Sequence, residues 1–143
     1  MTNFTTRMMI AAATLVVAAG SASAQGLKAE IPFAFRAGSV MMAAGTYQVK
    51  VDTLQSGHPF FRIGSVDGER VVLLAGTTPR DPKKEWAAAG KAVLSFECGI
   101  GRCALAEIWT GPERSSYAVP RPKLGKDEPT RTAVVVMRQD KGD

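Results

Sequence analysis

Residues 91–110 read KAVLSFECGIGRCALAEIWT, and this stretch decides the fold. Two apolar runs, 91–97 and 104–110, flank Gly99-Ile100-Gly101-Arg102, with Cys98 and Cys103 at the two ends of the loop. Strand-forming residues on both sides of a glycine-containing loop predict an antiparallel hairpin. Opposed residues in such a pair bring their Cα atoms within disulfide range, so Cys98 and Cys103 are read as a structural staple. A redox motif would more typically hold two residues between its cysteines, and a metal site would need further ligands.

The staple sets a register. With Cys98 opposite Cys103, unit steps put Phe96 opposite Leu105, Leu94 opposite Glu107 and Ala92 opposite Trp109, all on one face. Glu107 would then be a carboxylate on an apolar stripe. Left unpaired there, it would titrate high and could act as an acid. Otherwise it sits near a sheet end, paired with Arg36 or Arg62 or reaching water. No second acid is placed to complete a catalytic pair.

Outward from the hairpin, the chain continues as short strands. Ile31, Phe33 and Phe35 alternate with Pro32, Ala34 and Arg36, as in a half-buried strand. Pro32 lacks a ladder donor, which puts this segment at a sheet edge or Pro32 among the strand's first residues. Turns follow at Ala37-Gly38-Ser39 and Ala43-Ala44-Gly45. Residues 46–51 alternate again, with Tyr47, Val49 and Val51 on one side. Segments 60–65 and 70–75 flank Val66-Asp67-Gly68-Glu69, a strong hairpin signal. One short helix is expected, with Asp81 as cap, Pro82 at the first helical position and Gly90 as the stop. Residues 112–131 are polar and proline-rich and read as a loop. Residues 132–138, Thr-Ala-Val-Val-Val-Met-Arg, read as a strand that returns to the first one and closes the sheet. The expectation is an all-β single domain, a small antiparallel β-barrel or sandwich with one short helix.

The first 24 residues read as an export signal. Arg7 is followed by an apolar run at 8–19, broken only by Thr14, and then by Ala22-Ser23-Ala24. That is a charged start, a short apolar stretch and a small-residue cleavage site. A helix of 12 residues spans about 18 Å against a hydrocarbon core of about 30 Å, too short for an anchor. Cleavage after Ala24 leaves Gln25 first in a β domain spanning 25–143. Removing Arg7 lowers the formal charge from +5 to +4. The expected location is the periplasm or the extracellular space, where two cysteines can pair. The mature chain carries no transmembrane segment on this reading. Basic residues are interspersed with acids, as in Lys83-Lys84-Glu85 and Lys126-Asp127-Glu128, which marks a solvated surface rather than a nucleic-acid track. Envelope polysaccharide or another envelope protein is the expected class of partner.

Ile31-Pro32-Phe33-Ala34-Phe35, then Gly38, then Ala44-Gly45-Thr46-Tyr47-Gln48-Val49 resemble a family of small exported bacterial β proteins. In that pattern a hydrophobic-Pro-Phe-x-Phe strand leads to a Pro-Ala-Gly-Thr-Tyr turn, and a later hairpin ends like Glu107-Ile108-Trp109. Ala43 stands where the pattern favours Pro, and the cysteine pair is not part of it. The resemblance implies export and a β-barrel or sandwich, and no reaction.

The remaining chemistry is sparse. The single histidine, His58, lies in a turn-rich loop with no Ser or Cys tied to it by spacing. Trp86 and Trp109 are either core residues or a stacking platform for sugars. Glu107 and Trp109 are therefore the candidate ligand-surface residues. No catalytic, cofactor-binding or metal-binding residue is assigned. The function expected is an exported non-enzymatic β module with a structural, adhesive or ligand-binding role. The alternative is a small carboxylate-dependent hydrolase or isomerase with Glu107 in a barrel mouth.

Overall fold

Pro32 divides the chain between two sheets. In the computed structural model, which describes residues 26–53, 57–122 and 129–140, strand β1 (Gly26–Ile31) ends just before Pro32. β2 (Phe35–Ala37) then begins in the opposite sheet. The expected single strand across 31–35 is therefore a crossing. β1 is an interior strand, paired on both sides, where a residue without N–H would break a ladder. Exposed Pro32 sits outside it, while Ile31 and Phe35 both stay buried.

After β2 come β3 (Val40–Met42), β4 (Gly45–Thr53), β5 (Pro59–Ser65), β6 (Val71–Ala75), β7 (Pro79–Arg80), helix α1 (Lys84–Ala89), β8 (Val93–Gly99), β9 (Arg102–Trp109), β10 (Ser116–Ala118), β11 (Arg131–Val136) and β12 (Arg138–Asp140). One sheet runs β12-β1-β4-β5-β6. The other runs β11-β8-β9-β10-β7, with β2 also on β9 and β3 on β2. The sheets form a sandwich rather than a closed barrel. Its core joins Ile31, Val49, Phe61 and Ile63 from the first sheet to Phe35, Leu94, Phe96, Leu105 and Ile108 from the second. Phe35 meets Tyr47 and Phe96 edge-on, each at 5.4 Å between ring centres, a favoured aromatic geometry.

The β5–β6 hairpin follows the Asp-Gly signal. Gly68 takes φ 81°, a region open to glycine, and its N–H donates to the Ser65 carbonyl. Asp67 has no positive φ. Its carboxylate instead accepts from the Ser65 hydroxyl at 2.6 Å and the Glu69 N–H at 3.0 Å, and these bonds hold it below the usual carboxylate range.

α1 differs from its expected start. Residues 81–83 belong to neither strand nor helix, Lys83 is the N-cap with extended backbone, and no side chain caps the helix. Asp81 and Pro82 therefore lie outside it. Gly90 does end it, left-handed at φ 69°, with its N–H on the Trp86 carbonyl. The helix buries Trp86 against Val93 and Trp109, a second small core on the outer face of the β8–β9 sheet.

The C-terminal stretch is also divided. β11 pairs with β8 along six residues, and β12 pairs with β1 through Gly26, Leu27 and Lys28. Met137 lies between the two strands, buried, with its N–H donating to the Ala92 carbonyl at 2.8 Å. Of the expected 132–138 strand, only Arg138 reaches the first strand. The expected 112–131 loop contains β10, which bridges β9 and β7. The expectation of a signal peptide over 1–24 lies outside the described residues.

Candidate functional site

The hairpin closes as the cysteines require, and then departs from unit steps. Cys98 and Cys103 are opposed and joined by a disulfide, and Phe96 faces Leu105. Beyond that pair the register shifts. Ser95 faces Glu107, Leu94 faces Ile108 and Val93 faces Trp109. Ala106 is the extra residue of a β-bulge, and its carbonyl accepts from the Val119 N–H. One inserted residue turns every later side chain to the other face. Ile108 thus enters the core in place of Glu107, and Glu107 joins the outer face.

That placement corrects the reading of Glu107 as a carboxylate on the apolar stripe. Its Oε1 accepts from the Ser116 hydroxyl at 2.7 Å. Ser116 is fully buried on β10, where it faces Trp109. Neither Arg36 nor Arg62 is its partner: Arg36 lies beside Ala104, and Arg62 between Lys50 and Leu73. Trp109 is only 1% exposed, and its indole N–H donates to the Arg114 carbonyl at 2.9 Å. A ring so covered offers no open face for stacking. Trp86 is likewise buried, with the Lys83 ammonium 5.4 Å from its ring centre. His58 is exposed in its loop. Among the described residues, no group of three potential metal ligands comes together, and no buried side-chain nitrogen or oxygen lacks a hydrogen-bond partner. No helix among them is long and apolar enough to cross a membrane.

The disulfide closes a loop of few residues, so the chain-entropy model gives it about 2 kcal/mol. Reduction, or replacement of both cysteines by Ala, should leave a folded protein. Its denaturation midpoint should fall by the equivalent of that amount. A midpoint unchanged by reductant would show that the bulged ladder holds its register without the bridge.

The open surfaces lie elsewhere. A groove of about 590 Å³ runs beside β11 and β12, lined by Val134, Val136, Pro32, Pro112 and Glu30 among others. β11 ends its sheet, and Val134 and Val136 are 45% and 53% exposed on it. A second groove of about 410 Å³ lies between Arg36, Met41, Arg102, Ala104 and Pro122. A third of about 500 Å³ adjoins it across Arg36 and Pro122 and reaches Leu73 and Arg121.

Sequence reasoning did not single out these surfaces. The apolar content of 132–138 was visible, but the side left without a neighbour depends on sheet order. From the residues alone Arg36 stands out as a polar member of the 31–36 alternation and as a candidate partner for Glu107. Its neighbour on β9 is not legible, because that contact joins segments distant in the chain. No protein-family model, curated protein or solved structure matches the chain.

Proposed function

We propose that this chain is an exported β module of the cell envelope or extracellular space that works by association rather than catalysis. The observation that carries this reading is the β11 edge. Edge strands are ordinarily blunted by charge, proline or a bulge, because their free N–H and C=O groups invite pairing. Residues 133–136 of β11, Ala-Val-Val-Val, carry no such device. Beside them lies the groove, whose lining mixes Leu27, Pro32, Pro112 and the β11 valines with the charged Glu30, Lys91 and Arg138. Strand addition at such an edge takes affinity from main-chain bonds and specificity from alternate side chains. The partner class is an extended segment of another envelope protein. The disulfide supports the oxidising location, since such bridges persist outside the cytosol. The carboxylate-dependent alternative draws no support from Glu107, which Ser116 engages on the outer face.

The test is capture from envelope fractions by the mature protein and by a Val134→Lys, Val136→Lys variant. Both sites are exposed, so the variant should fold with an unchanged circular dichroism spectrum. Capture should fall at least tenfold, and bound partner should slow hydrogen exchange in β11. Equal capture by both proteins, or protection confined to another strand, would overturn the edge reading.

A further inference from the structure

We propose that the two adjoining grooves around Arg36 bind a single-chain amphiphilic anion, an oxyanion head on an unbranched alkyl chain. The inference goes beyond association at β11 and does not depend on it. Phe35 and Ala37 are both fully buried and pin the short strand β2 from either side. Arg36 between them therefore projects from the opposite face. Met41 lies across from it on β3 and Ala104 across from it on β9, so the guanidinium rises from an apolar row. Met41 is 50% exposed in one groove and Leu73 57% exposed in the other.

Charge separates this place from the other grooves. Among the described residues no Asp or Glu lines either groove around Arg36, whereas Glu30 lines the β11 groove and Asp67 and Glu69 line the one beside Tyr47. Arg121, which also lines the second of these grooves, is held by Glu97 at 2.9 Å. Among the described residues no carboxylate pairs with Arg36. A guanidinium binds carboxylate and phosphate oxygens through two parallel N–H bonds. The apolar row on either side gives an attached alkyl chain a surface to cover. A concave site of this kind suits a free amphiphile rather than a bilayer surface.

The probes are dodecyl phosphate and dodecanoate below their micellar concentrations, with dodecanol and dodecyltrimethylammonium as neutral and cationic controls. Vesicles of anionic phospholipid supply the bilayer arm. Both anions should bind the mature protein at one site, and amide shifts should centre on Arg36, Met41 and Ala104. Octyl phosphate should bind more weakly than dodecyl phosphate by at least tenfold, since each buried methylene contributes to affinity. Arg36→Gln should weaken dodecyl phosphate at least tenfold and leave dodecanol unchanged. Met41→Glu, at an exposed position, puts a like charge in the groove and should do the same should Arg36→Gln fail to fold. Val134→Lys with Val136→Lys should retain full binding, which separates this site from the β11 edge. Equal affinity for the cationic control, shifts centred on β11, or binding only to vesicles would overturn the proposal.

Discussion

Ending the chain after Thr130 should abolish cooperative folding. β11 and β12 contribute more than a terminal hairpin would, because one pairs in each sheet. Their removal strips β8 of a six-residue ladder and leaves β1 without its outer neighbour. It also removes Met137, buried at 3% exposure, and the partly buried Ala133 and Val135 that pack on the core. Burial of Met137 and Val135 alone accounts for about 3 kcal/mol. Two new edges and the lost cross-strand pairs come in addition. Against a total of about 5–15 kcal/mol for a natural domain, that loss is decisive. The truncated chain should show no cooperative urea transition by far-ultraviolet circular dichroism. The Val134→Lys, Val136→Lys variant keeps both ladders and should unfold cooperatively. A sharp transition in the truncated chain near the full-length midpoint would mean that the sandwich stands without its sheet-joining strands.

The parts of this fold that local pattern controls were readable from the residues. Alternation at 46–51, the Asp67-Gly68 turn, the Gly90 stop and the opposed cysteines each depend on a few neighbouring side chains. What was not readable depends on counting across space. Ala106 has the side chain of any strand residue. Its bulge follows from the need to bring Ile108 inward while Trp109 closes a second core with Val93 and Trp86. Nothing within 104–110 signals that choice. The error it produces is large, since it exchanges the environments of Glu107 and Ile108. β10 was missed for a related reason. Ser116-Tyr117-Ala118 is too short for a periodic signal and is a strand only because β9 and β7 lie on its two sides.

The candidate site follows the same division. The cysteine pair could be assigned from its spacing across a glycine-containing hairpin loop. The surfaces could not, because an edge strand and a groove between sequence-distant strands are properties of strand order. Arg36 shows this best. Its alternation with Phe35 and Ala37 fixes its face, but β9 enters as a neighbour only once the chain has crossed between sheets.

That crossing has its own measurable consequence. Phe35→Ala should destabilise the protein by about 4 kcal/mol, within the usual range for a buried phenylalanine. The ring is fully buried and lies edge-on to Tyr47 in one sheet and Phe96 in the other, so its loss leaves a cavity bounded by both. Phe33 is the control. It also meets Phe96 edge-on, at 5.0 Å, but stands in the crossing segment and is only partly buried. Phe33→Ala should cost about 1–2 kcal/mol, because part of its surface is already in water. A continuous half-buried strand across 31–35 would put both rings on one core face and make the two losses equal. A break at Pro32 makes them unequal. The measurement is the urea midpoint of each variant, compared at a common slope so that the difference reports stability alone. Equal shifts would restore the single strand and remove the sheet crossing on which the position of Arg36 depends.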